Sequence, residues 1–204
     1  WLQLVLHEYF HSFQFKQDAV FEYLASTIQS NSDSLRIIYE TNDDFRKKIN
    51  SENKLLKLAI QTTDPDSQLN YIRQFIHDRE NRRNQYSREL NRLIIQENFW
   101  ETIEGTARYI EAYLPEKFNQ ISFDSESAAA DSLFNNFAHY QSQTDIELSD
   151  TFIKRTEAGN SYFYATGFNL CRLLDKLKID YKSIVFNNPE KSLYHLLCES
   201  LNKH

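Results

Sequence analysis

The chain contains no methionine and little glycine or proline, with three residues of each among 204. So few turn-forming residues exclude a β-sandwich or a barrel, because those folds need many tight turns. No apolar run reaches the roughly 20 residues that a transmembrane helix needs, and no secretory signal segment is visible. A chain that begins at Trp1 and lacks methionine is expected to be a fragment or a processed form of something longer.

Cysteine and positive charge are also scarce. Cys171 and Cys198 are far apart and lack metal-site spacing, so free thiols are favoured over a disulfide. The net charge is −6 and no dense basic run occurs, which indicates that nucleic acid is not a partner. One arginine-rich segment alternates with glutamates, and a solvated helix face is favoured there over a substrate carboxylate clamp. Its arginines are Arg79, Arg82, Arg83, Arg88 and Arg92.

Long stretches of Leu, Glu, Lys, Arg and Gln predict an all-α fold, formed as one domain over residues 1–204. The first helix is predicted over residues 1–29, followed by a capping break at 31–34 and a helical segment over 37–60. A long helical pattern in two pieces is predicted to start at Pro65 and to stop at Pro115. The remaining predicted helices cover about 128–140, 162–177 and a segment from 188–190 to about 201.

The first helix contains the sequence His7-Glu8-Tyr9-Phe10-His11, which has the pattern HExxH. Residues four apart on a helix differ by about 40° around its axis, so both imidazoles can bind one metal ion. Glu8 projects from the adjacent edge, where it can reach a metal-bound water. Zinc accepts imidazole nitrogen and carboxylate oxygen, and its catalytic sites keep one position open. The alternative is two histidines on a helix face, one of them buried in the core.

A third ligand would decide between these interpretations, and a second predicted helix offers one. Glu104, Arg108 and Glu111 stand at i, i+4 and i+7 and share one face of that helix. Glu104 would complete a His₂Glu site, and Glu111 could hydrogen-bond the free ring nitrogen of a liganding histidine. Gly105 weakens the helix directly after Glu104, which suits a close approach by a helix or substrate. An ordinary exposed helix carboxylate is the alternative for Glu104.

HExxH followed by E-G-x-A-x-Y-x-E resembles the gluzincin zinc metallopeptidases, and in particular the aminopeptidase N superfamily and poorly characterised bacterial zinc-dependent protease families. The resemblance implies Zn²⁺ held by His7, His11 and Glu104, with Glu111 supporting a ligand. It implies peptide-bond hydrolysis of a peptide or protein substrate, in which Glu8 is the general base. The compartment stays open, although many such bacterial proteases act in the cell envelope or are secreted.

The same family has a catalytic tyrosine in a Y-x-x-G sequence that opens a later helix. Tyr164-Ala165-Thr166-Gly167 matches it, so Tyr164 is expected to stabilise the oxyanion, with Tyr162 as second candidate. A core aromatic residue is the alternative interpretation. All three glycines, at positions 105, 159 and 167, lie beside these elements.

The chain departs from the family pattern in two respects. The 92 residues between His11 and Glu104 far exceed the aminopeptidase spacing, which predicts a helical insertion at about residues 31–95. The β-sheet that precedes the metal helix in gluzincins has no counterpart in this sequence, so the resemblance says least about the substrate. A non-catalytic zinc-binding scaffold remains the rival, and it would recruit a fourth ligand such as His77 or His139. A helical interaction module with coincidental motifs is the other.

Overall fold

The computed structural model describes residues 2–29, 31–119, 126, 130 and 154–201. These residues form helices and no strand, which confirms the predicted all-α fold class. Within them, no helix has both the length and the apolar character needed to cross a membrane. The helices are α1 (Leu2–Gln14), α2 (Asp18–Tyr23), a π-helical segment (Leu24–Ile28), α3 (Asp33–Thr41), α4 (Asp43–Gln61), α5 (Pro65–Asn119), α6 (Tyr162–Lys176) and α7 (Leu193–Leu201). The predicted helix at 128–140 lies outside the described residues except for Ala130.

The prediction of one helix over residues 1–29 is wrong. Helix α1 ends at Gln14, and α2 starts at Asp18 after Gln17 takes an extended conformation with ψ of 114°. The apolar periodicity continues across this break, so it could not mark the end of α1. The side chain of Gln14 instead bonds to α5, and the helix that carries His7 and His11 is a separate element.

The helical segment predicted over 37–60 is divided at the extended residue Asn42 into α3 and α4, and the last helix starts at Leu193 rather than at 188–190. Two other predicted helix starts agree with the structure. The backbone N–H of Asp33 donates to Asn31 Oδ1 at 3.2 Å, and Asp64 Oδ2 accepts from the Ser67 N–H at 2.9 Å just before α5. At the other end, α5 continues to Asn119, so Pro115 does not stop it. A proline removes only one backbone hydrogen bond, and a helix can resume beyond it.

Helix α5 folds back on itself. Arg79 forms an ion pair with Glu101, which lies 22 residues further along the chain. In a straight helix these residues would be about 33 Å apart, so the helix axis reverses between Arg83 and Glu97. We call residues 65–83 the outgoing arm and residues 97–119 the return arm. The predicted two pieces correspond to these two arms.

The arms enclose charged side chains that were expected to face solvent. Arg79, Arg82 and Arg83 are buried, so the predicted solvated face is wrong at these positions. Helix α4 and the return arm cover that face with glutamates of opposite charge. We call the resulting cluster the buried ion network: Arg79, Arg82 and Arg83 with Glu52, Glu97 and Glu101. Arg92 is exposed and donates to the Ile28 carbonyl oxygen at 3.3 Å, and the side chain of Arg88 lies outside the described part.

The return arm and α6 meet at two glycines. A β-carbon on Gly105 would overlap the backbone of Gly167, and one on Gly167 would overlap the carbonyl oxygen of Glu101. Only glycine therefore allows the two backbones to come this close. The contact fixes the start of α6, which carries Tyr164, against the segment of α5 that carries Glu104. Cys171 and Cys198 are both free thiols, which was the favoured prediction.

Candidate metal centre

His7, His11 and Glu104 converge where α1 packs on the return arm. The Nε2 atoms of the two histidines are 2.9 Å apart. Glu104 Oε2 lies 3.3 Å from His7 Nε2 and 3.2 Å from His11 Nε2. The fold thus closes the 92-residue separation and brings the three predicted ligands together as one possible metal-binding group.

The size of this triangle fits a zinc ion. Bonds of about 2.0–2.1 Å in a tetrahedral zinc site separate neighbouring ligand atoms by about 3.3 Å. The three observed separations of 2.9, 3.2 and 3.3 Å are close to that edge length. The donor set of two imidazoles and a carboxylate also suits zinc chemically.

Gln14 fixes the tautomer of His11. Its Nε2 donates to the Ile103 carbonyl oxygen and to Thr106 Oγ1, each at 2.8 Å, so its Oε1 must act as the acceptor. That oxygen lies 2.6 Å from His11 Nδ1, which therefore carries the ring hydrogen. The lone pair of neutral His11 is then on Nε2, the atom that faces Glu104. Gln14 is fully buried, so the bridge is shielded from water.

Glu111 contacts the Nδ1 atom of His7, as Gln14 contacts the Nδ1 atom of His11, although at a longer distance. His7 Nδ1 lies 3.4 Å from Glu111 Oε1, within ion-pair range but without hydrogen-bond geometry. The second oxygen of Glu111 is 4.0 Å from Arg155 Nε. A carboxylate at Nδ1 favours the ring hydrogen there, which leaves the Nε2 lone pair for a metal.

The centre therefore brings three potential ligand atoms together, two imidazole nitrogens and one carboxylate oxygen. Glu104 Oε2 is buried and has no hydrogen-bond donor. Burial raises the pKa of Glu104, but the two histidines lower it further, to about 2. Burial lowers the pKa of His7, but Glu104 and Glu111 raise it more, to about 9. Both pKa shifts reflect a site that stabilises positive charge.

Comparison of the chain with family models, curated proteins and solved structures found no match. The chemistry of the site must therefore be argued from its own residues.

The two tyrosine candidates occupy different surroundings. The ring of Tyr164 stacks on His7, with centroids 5.9 Å apart and planes 16° apart. Burial, and then the Glu104 carboxylate, raise the pKa of Tyr164. Tyr162 is fully buried and donates to Glu97 Oε1 at 2.7 Å. Tyr162 therefore bonds to the buried ion network, whereas Tyr164 lies beside the candidate metal centre.

Glu8 lies on the exposed side of α1. Among the described residues, no hydrogen bond or ion pair occupies its carboxylate, which is what a general base needs before substrate binds. Of the predicted fourth ligands, His77 is exposed on the outgoing arm and pairs with Asn81 at 2.9 Å, and it does not belong to the metal-binding group. His139 lies outside the described residues.

Gln14 is the site residue that the sequence prediction missed. A signal was available, because Gln14 is three residues after His11 and shares its helix face. That spacing gave no reason to prefer a site role over an ordinary exposed glutamine. Only the contact with Ile103 and Thr106, on either side of Glu104, separates the two possibilities.

Proposed function

We propose that this chain carries the metal centre of a zinc-dependent peptide hydrolase of the gluzincin type, acting on a peptide or protein substrate. The observation that carries the proposal is the convergence of His7 Nε2, His11 Nε2 and Glu104 Oε2, which lie 2.9–3.3 Å from one another. Two imidazole nitrogens and a buried carboxylate at these distances can bind a cation in place of a histidine proton, and the donor set favours zinc.

The residues around the centre suit hydrolysis. Bound zinc would lower the pKa of water and polarise a carbonyl group. Glu8 has an unoccupied, exposed carboxylate that accepts a proton from the attacking water and passes it to the leaving amine. The Tyr164 phenol stays protonated because burial and Glu104 raise its pKa, so it can donate a hydrogen bond to the developing oxyanion.

A non-catalytic zinc scaffold is the competing function. It has one observation in its favour, because Gln14 and Glu104 both tie α1 to the return arm. A closed structural zinc site uses four protein ligands, whereas the metal-binding group found among the described residues has three. The free carboxylate of Glu8 also has no purpose in a scaffold. Catalysis is therefore the better-supported function.

Zinc titration and peptide hydrolysis together test the proposal. Glu104→Gln should weaken zinc binding at least about 100-fold, because it removes a charged ligand. Glu8→Gln should bind zinc as the native chain does, while hydrolysis of a fluorogenic peptide library falls about 10²- to 10⁴-fold. Glu22→Gln, at an exposed position of α2, serves as the matched control and should change neither measurement.

Two results would overturn this assignment. Undiminished hydrolysis by Glu8→Gln would remove the proposed base, and undiminished zinc affinity in Glu104→Gln would remove the proposed ligand. Tight zinc binding by the native chain without hydrolysis of any library peptide would favour the scaffold.

A further inference from the structure

Two arginines flank the aromatic pair that opens α6. The guanidinium carbon of Arg108, on the return arm, lies 5.5 Å from the ring centroid of Tyr164. The guanidinium carbon of Arg36, on α3, lies 5.9 Å from the ring centroid of Phe163. The two rings are themselves 5.1 Å apart. Two separate elements therefore hold positive charge against one aromatic pair.

Neither arginine has an anionic partner among the described residues. The Nε atoms of Arg36 and Arg108 are both buried without a hydrogen-bond acceptor. The chain has 29 acidic residues and 23 lysines and arginines, so carboxylates are not in short supply. The buried arginines of the ion network all have glutamate partners. A partly buried guanidinium without an anionic partner among the described residues is costly, and a bound carboxylate would remove that cost.

The position of the pair connects it to the metal centre. Tyr164 stacks on His7 with centroids 5.9 Å apart, so one ring contacts both Arg108 and a candidate ligand. Phe163, which Arg36 contacts, lies against the same ring. A molecule held at the candidate metal centre would therefore lie beside the aromatic pair that both guanidinium groups contact.

We propose that Arg36 and Arg108 form a carboxylate-binding subsite beside the metal centre, and that it selects peptides with a free carboxylate near the scissile bond. Arginine suits this role because its planar guanidinium binds a carboxylate through two parallel hydrogen bonds. The carboxylate comes either from an Asp or Glu side chain or from the peptide C-terminus. The inference rests on the proposed function for the identity of the substrate as a peptide.

Peptide binding to the full chain carrying Glu8→Gln tests the subsite without turnover. Three peptides differ only in their carboxylates: acetyl-Ala-Ala-Gln-Ala-amide has none, acetyl-Ala-Ala-Glu-Ala-amide has a side-chain carboxylate, and acetyl-Ala-Ala-Gln-Ala has a terminal one. Isothermal titration calorimetry at low salt, with zinc and without it, gives each affinity. We expect one carboxylate peptide to bind about tenfold or more tighter than the neutral peptide, since charged hydrogen bonds are the stronger ones. Which of the two it is identifies the source.

Arginine variants show whether the subsite causes the preference. Arg36→Gln and Arg108→Gln should each reduce it, whereas Arg73→Gln, at an exposed position on the outgoing arm, should leave it intact. Equal binding of the three peptides, or no binding of any, overturns the inference. So does a preference that survives in both variants, because the metal would then be its source.

The two proposals can fail separately. Zinc titration of the same samples with normal zinc affinity, but no carboxylate preference, would overturn the subsite and leave the metal centre in place. An arginine-dependent preference in a chain that does not bind zinc would support the subsite and overturn the proposed function.

Discussion

The return arm of α5 carries two groups of carboxylates that are used in opposite ways. Glu97 and Glu101 point into the buried ion network, where three arginines neutralise them. Glu104, less than one turn further along, faces the Nε2 atoms of two imidazoles. Both groups are buried. They differ in where the compensating positive charge comes from.

This difference gives the ion network a structural role and leaves the other group available for binding. In the ion network every charge is matched within the chain, so the cluster holds the two arms and α4 together. At the candidate metal centre the positive charge opposite Glu104 comes from histidines, which can lose their protons. A metal ion could replace those protons, whereas nothing can replace the arginines of the ion network. The predictions below test this contrast.

The largest effect is expected from Glu97→Gln. It leaves Arg82 and Arg83 without their shared carboxylate in a buried site, which should lower the free energy of unfolding by about 3–5 kcal/mol. Urea unfolding followed by circular dichroism at pH 7 measures the loss, with Glu22→Gln as the exposed control, expected within about 0.5 kcal/mol. Where the variant is folded, its zinc affinity should be unchanged. A change below about 1 kcal/mol would contradict the structural role of the network.

Acid unfolding gives a second measure of the same residue. Burial alone would raise the pKa of Glu97, but Arg82, Arg79 and Arg83 hold it well below its usual range. In the unfolded chain the pKa of a glutamate is about 4.3. The stabilisation by Glu97 is therefore present above that pH and is lost as the pH falls below it. Glu101 does not contribute to this acid limb, because burial raises its pKa to about 7. Glu97→Gln should therefore lose less stability than the native chain as the pH falls from about 5 to about 3.

A smaller effect is expected at the glycine contact between α6 and the return arm, which lies next to both groups of carboxylates. Gly167→Ala places a β-carbon against the carbonyl oxygen of Glu101, so α6 and the return arm must separate. We expect a loss of about 1–3 kcal/mol in the free energy of unfolding, together with weaker zinc binding. Gly159→Ala is the matched control, since nothing lies within 4 Å of its β-carbon. Equal stability of the two variants would show that the glycine contact is not needed.

Gln14→Leu should have the smallest effect and should be confined to the metal centre. It removes the acceptor that fixes the His11 tautomer, which should weaken zinc binding about 10- to 100-fold while the helices persist. Gln17→Leu, three residues further along at a partly exposed position, is the control. Histidine ¹⁵N chemical shifts should show His11 in mixed tautomers in the Gln14 variant alone. An unchanged tautomer would mean that Gln14 does not position this ligand.

Helix content and most helix starts could be predicted from the sequence, because these depend on local features. Asp64 and Pro65 mark the start of α5 through a side-chain cap and a fixed φ angle. Helix boundaries were predicted wrongly at residue 29, at Pro115 and at Asn42, which divides the segment predicted over 37–60. The apolar pattern does not show where the backbone leaves the helical conformation or where a helix continues past a proline.

The candidate site could also be predicted only in part. The spacing of His7 and His11 on one helix determined by itself that their rings would share a face, since helix geometry alone sets that angle. Glu104 could be named from the sequence, yet its distance of 3.2–3.3 Å from both histidines depends on α1 packing against the return arm. The burial of Arg79, Arg82 and Arg83 was not foreseen, because the glutamates that neutralise them come from other segments.

By itself, then, the sequence determined the helices, the paired histidines and the residue types that a zinc site needs, because these follow from local geometry and side-chain chemistry. Tertiary structure decided which glutamates face arginines and which one faces the two histidines. It also brought Gln14 to His11, Arg108 to Tyr164 and Arg36 to Phe163. Those roles depend on contacts between residues far apart in the sequence, and such contacts form only when the helices pack.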